Sequence, residues 1–124
     1  MKNTKKLFII PWDFIELKCG NEHFDEEGKI YHPDMIIKEG TAGAYYDCPD
    51  AKCFNRIPLL VYEKLLDMVT NVVNSGKGVK GYQWTEKISR QMYKFEVLDY
   101  IPEEKITIAI TNLTIKKRGS EVLM

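Results

Sequence analysis

Between Pro58 and Gly76 apolar and polar residues alternate with the period of a helix. At about 100° per residue, Leu59, Val61, Tyr62, Leu65, Leu66, Met68, Val69, Val72 and Val73 cover roughly half the cylinder. Glu63, Lys64, Asp67, Thr70, Asn71 and Asn74 fill the other half, with Leu60 alone out of place among them. Pro58 suits the first helical turn and pushes Ile57 out of the helical region, while Gly76 suits the left-handed position past the last turn. A helix lying on one sheet needs an apolar stripe of only about 100°. The surplus width predicts a second contact, and a homodimer through residues 58–75 is the expectation.

On either side the period is two. Lys6 to Ile10 and Asp13 to Cys19 read as strands separated by Pro11, which cannot donate to a ladder. In the second, Ile15, Leu17 and Cys19 alternate with Glu16 and Lys18. Glu26-Glu27-Gly28-Lys29 reads as a turn, with Lys29 to Lys38 returning as the hairpin partner. Gln91 to Tyr100 places Tyr93, Phe95 and Val97 on one face and Lys94 and Glu96 on the other. Ile101 to Glu104 turns the chain. Lys105 to Lys116 then runs back with Ile106, Ile108 and Ile110 inward and Thr107, Ala109 and Thr111 outward. The apolar phase flips at Asn112, to Leu113 and Ile115, which predicts a bulge or bend.

Two stretches resist this reading. Residues 39–57, with two glycines and Pro49, predict an irregular loop. Residues 79–90 carry both signals: Val79 to Trp84 suits a strand, and Trp84, Ile88 and Met92 at spacing four suit a short helix. Strands, one long helix, then strands predict a single α+β domain over residues 1–124. Its expected form is an antiparallel sheet of about five to six strands with the helix packed across one face.

At 124 residues the chain is long enough to bury a core without staples. No apolar run approaches the ~18 residues of a membrane span. The basic start is followed by a short apolar run that Pro11-Trp12-Asp13 interrupts, so it does not read as a signal peptide, and a cytoplasmic protein is expected. Three cysteines then predict free thiols. Fifteen lysines against three arginines suggest an AT-rich bacterial or phage genome. The net charge is zero but unevenly spread: residues 13–50 hold ten acids against three lysines. Residues 77–94 hold five bases against Glu86.

Lys77, Lys80, Tyr82, Trp84, Lys87 and Arg90 interleave cations with aromatic rings, a mixture that pairs phosphates and stacks a base. This supports the leading expectation, a non-enzymatic binding protein. It would recognise an anionic, nucleotide-like small molecule, through Lys77, Lys80, Tyr82, Trp84 and Arg90, or a partner protein. Nucleic acid is disfavoured by the zero net charge and the acidic first half. Gly76-Lys77-Gly78-Val79-Lys80-Gly81 matches a dinucleotide fingerprint only on paper. It follows a helix C-terminus, whose dipole repels anions.

All three cysteines and both histidines fall between positions 19 and 53. Thiolates and imidazoles are the ligands zinc takes, and Cys19-x3-His23 with Cys48-x4-Cys53 are feasible pairs. A zinc-stabilised regulatory module using Cys19, His23, Cys48 and Cys53 is therefore the alternative, against ordinary roles as a buried hydrophobe and loop residues. Zinc is the one cofactor considered. A second alternative is a thiol enzyme pairing Cys48 or Cys53 with His23 or His32, which no local signature supports.

Overall fold

A computed structural model describes residues 11–75 and 78–114. The strand predicted over 6–10, Gly76, Lys77 and the last strand beyond Thr114 lie outside these residues. After a 3-10 turn at Trp12–Phe14 come β1 (Ile15–Cys19), β2 (His23–Phe24), β3 (Ile30–Tyr31), β4 (Ile36–Gly40), β5 (Gly43–Asp47) and β6 (Arg56–Pro58). The helix α1 (Leu59–Asn74) follows, then β7 (Gln83–Ile88), β8 (Gln91–Ile101) and β9 (Lys105–Asn112).

The α+β content is as expected, but the strands divide among three sheets. They are a four-stranded sheet ordered β1-β9-β8-β7, a β2-β3 hairpin and a three-stranded sheet ordered β4-β5-β6. The single antiparallel sheet is thus corrected. Instead of pairing with residues 29–38, β1 runs parallel to β9, with Ile15 opposite Ile106 and Cys19 opposite Ile110. A parallel pair has no turn to announce it, and the crossover here spans most of the chain. Pro33 splits the expected return strand. Ile30–Tyr31 pairs with His23–Phe24, and Ile36–Gly40 pairs with Gly43–Asp47. A bridge between Lys18 and Asp34, two backbone bonds beside it and the Lys18–Asp34 ion pair at 2.7 Å tie residues 33–35 to β1.

Residues 39–57 are likewise not irregular throughout: Thr41-Ala42 closes a hairpin into β5, and β6 leads into α1. The loop that remains is 48–55. Over 79–90 a strand forms, but at Gln83–Ile88 and not Val79–Trp84: Val79 to Tyr82 make a turn, and Trp84 stacks 5.0 Å from Phe95 and gives its indole N–H to the Met68 sulfur. The β7–β8 turn is Ser89-Arg90, both left-handed at φ 52° and 72°. The predicted bend falls at the end of β9, where Leu113 is exposed. The bulge itself lies in β8, between Val97 and Asp99.

The β8–β9 register aligns Phe95 with Ile110 and Val97 with Ile108, so one face of the large sheet is continuously apolar. Helix α1 covers it with Val61, Tyr62, Leu65 and Val69, all buried. Its flanks, Leu59, Leu66, Met68, Val72 and Val73, are half-buried against the same core. Part of that cover comes from the small sheet. The Tyr62 ring lies 4.9 Å from Tyr46 of β5 and 4.7 Å from Trp12, and its hydroxyl donates to the Trp12 carbonyl at 2.6 Å. Part of the second contact that the broad apolar face demanded is thus supplied by β5 and the 3-10 turn of the same chain. Thr107 and Ala109, expected outward, are also buried, because β9 is central and Glu16 reaches over it to the Thr107 hydroxyl.

Candidate metal centre

Four side chains from three separate segments converge below the C-terminal end of β1. Cys19 closes β1, His23 opens β2, and Cys48 and Cys53 lie in the loop between β5 and β6. Their ligand atoms all lie within 4.8 Å of one another. Cys19 Sγ and Cys53 Sγ are 3.7 Å apart, and Cys48 Sγ is 3.5 Å from His23 Nε2. In a tetrahedral zinc site with metal–sulfur arms near 2.3 Å, sulfurs stand roughly 3.7 Å apart and sulfur and nitrogen roughly 3.5 Å. Two edges of that tetrahedron are already in place.

N–H groups around the sulfurs favour their charged form and burial opposes it. The backbone N–H two positions on from each cysteine favours its thiolate: Asn21 for Cys19, Asp50 for Cys48 and Asn55 for Cys53. The asparagine side chains then cross over. Asn21 Nδ2 donates to Cys53 Sγ at 3.2 Å, and Asn55 Nδ2 donates to Cys19 Sγ at 3.1 Å. On the fourth ligand, His23 Nδ1 faces the Asp50 carboxylate at 3.2 Å, leaving Nε2 toward the cluster. A carboxylate behind a histidine is the usual outer support of a bound metal, fixing tautomer and orientation.

Without a metal the three thiols share protons unequally. The Cys19 thiol donating to it holds Cys53 down at about 5, against burial and with help from Asn21 and Asn55. Its hydrogen bond to Cys53, then burial, pushes Cys19 well up. Burial pushes Cys48 up to about 11. A divalent cation would replace the shared protons and leave all three sulfurs as thiolates.

Asn21, Asp50 and Asn55 are the supporting residues that the sequence reading missed. The signal was present: Cys19-Gly-Asn21, Cys48-Pro-Asp50 and Cys53-Phe-Asn55 repeat one Cys-x-Asx pattern. His32 stands outside the cluster, its Nδ1 bonded to the Cys19 and Asn21 carbonyls.

The five residues expected to bind an anion do not gather. Lys77 lies outside the described residues. Lys80 is exposed and 3.9 Å from Asp99, and Tyr82 is exposed beside Trp84. Trp84 is committed to Phe95 and Met68. Arg90 sits in the turn at the far end of β7 from Tyr82, with the six-residue strand, roughly 20 Å at about 3.4 Å per residue, between them.

The site and fold together define an α+β protein carrying a Cys3His cluster. Comparison with protein-family models, curated proteins and solved structures finds no match. Among the described residues no helix is long and apolar enough to cross a membrane.

Proposed function

We propose that Cys19, His23, Cys48 and Cys53 hold one structural zinc ion, and that the protein is a zinc-stabilised, non-enzymatic binding module. The convergence of four soft ligand atoms within 4.8 Å carries this reading. Structural zinc sites are closed, with four protein ligands and no open position for substrate. The outer bonds support the same assignment: the Asn21 and Asn55 amides donate to the Cys53 and Cys19 sulfurs, and the Asp50 carboxylate stands behind the histidine.

The thiol-enzyme alternative has one geometric point in its favour. Cys48, His23 and Asp50 stand in line at 3.5 and 3.2 Å. However, Cys48 is only 3% exposed and burial holds its thiol protonated, the opposite of an activated nucleophile. The binding role keeps Lys80 and Tyr82 as neighbouring groups an anion could meet. A second copy docked on α1 would rest on Leu60 and on flanks already half covered, so the reading needs no dimer.

Elemental analysis of protein purified without added metal should return close to one equivalent of zinc. Cobalt substitution should give the intense visible bands of a tetrahedral thiolate site. Less than a tenth of an equivalent, with no such bands on adding cobalt, would end the proposal.

A further inference from the structure

Of the four ligands, Cys53 alone is partly exposed, while Cys19, Cys48 and His23 are buried. Its nearest sulfur is that of Cys19, 3.7 Å away. A disulfide needs about 2.05 Å between sulfurs, so the pair must close by less than 2 Å. Cys19 ends its strand and Cys53 lies in the 48–55 loop. Asn21 and Asn55 bond reciprocally to these two sulfurs and hold them side by side.

We infer that Cys53 and Cys19 form an oxidation site, where a hydroperoxide converts the pair to a disulfide and expels the metal. The inference rests on the zinc reading above and assigns that site a chemical regulation. The Cys53 sulfur attacks one peroxide oxygen, the O–O bond breaks, and hydroxide leaves behind a sulfenic acid on Cys53. The Cys19 sulfur attacks the Cys53 sulfur, the S–O bond breaks, and a second hydroxide leaves. Two electrons pass from the sulfurs to the peroxide, and two protons from solvent turn both hydroxides into water. The ion keeps only Cys48 and His23, half of its ligand set, and dissociates. A thiol reductant returns two electrons and restores all four ligands.

Zinc-loaded protein, its metal content measured first, is treated with one equivalent of hydrogen peroxide beside a chromogenic chelator. The expected result is one zinc released per chain, a mass lower by two hydrogen atoms, and a Cys19–Cys53 linkage by peptide mapping. Dithiothreitol followed by zinc should reverse all three. Zinc that stays bound, a linkage involving Cys48 instead, or release accompanied only by sulfinic and sulfonic acids would each overturn the inference and leave the zinc site standing. Absence of zinc in the starting protein would fell the metal reading, and this inference with it, before any peroxide is added.

Discussion

Asn55 is 2% exposed, and each of its polar atoms has work. Its amide donates to Cys19 Sγ and to the Ile110 carbonyl at 2.7 Å, and its carbonyl accepts the Asn112 backbone N–H at 2.9 Å. A buried amide left unpaired would cost about 1–3 kcal/mol, so this complete set fixes the loop against β9. The Asp50 carboxylate stands behind His23 and also accepts the Lys52 backbone N–H at 3.0 Å. Asp50→Ala should keep the fold, as judged by circular dichroism, and weaken zinc affinity by about 10–100-fold in a chelator competition. An unchanged affinity would mean that the carboxylate does not orient the imidazole. In metal-free protein the thiols give stability a maximum in pH. Cys53, held down at about 5 from an ordinary value of 9.0, contributes stability that is complete above 9.0 and lost as pH falls through about 5. Cys48, pushed up to about 11, has the opposite sign: complete below 9.0 and lost as pH rises through about 11. Urea midpoints measured with chelator and reductant should rise toward pH ~9 and fall beyond it.

At the scale of elements, local patterns revealed what local forces decide. Helix α1 was legible because its period and Pro58 agree, and it runs from Leu59 with Pro58 as its cap. The β8–β9 hairpin was legible because its alternation continues on both sides of a tight turn. Pairings made across long separations left no such trace. Nothing in Ile15–Cys19 marks Ile106–Ile110 as its neighbour, and the broad apolar side of α1 could not say whether β5 or another chain would cover it. Cys19, His23, Cys48 and Cys53 were legible as a group and do converge, whereas the five residues expected to meet an anion are spread out, with Trp84 stacked on Phe95 and Arg90 in the β7–β8 turn. That turn is also a weak point. Ser89 and Arg90 both adopt left-handed backbone, which a two-residue hairpin requires and which asparagine and glycine adopt most readily. Replacing Ser89-Arg90 with Asn-Gly should raise stability by about 1 kcal/mol, read as a higher urea midpoint with unchanged slope.

For the whole molecule, the ion would join segments that little else connects. The β2–β3 hairpin has its own two-residue ladder, and the 48–55 loop bridges two short strands. At a free zinc concentration a hundredfold above Kd, binding adds about 2.7 kcal/mol. For a domain of this size that corresponds to roughly 10 °C in Tm. Stripping the metal with a chelator under reducing conditions should lower Tm by at least this much, measured by calorimetry. Hydrogen exchange should quicken first over residues 19–55 and only later in β8 and β9, whose ladder and buried isoleucines do not depend on the ion.

Because β1 lies alongside β9, the earliest described strand waits on the latest for its partner. A ribosome would release Cys19, His23, Cys48 and Cys53 long before Ile110 and Asn112, the residues that anchor Asn55 beside them. The nascent chain therefore carries the whole Cys3His cluster while its frame is still missing, and a protein cut short before residue 105 would keep all four side chains yet lack the wall they lean on.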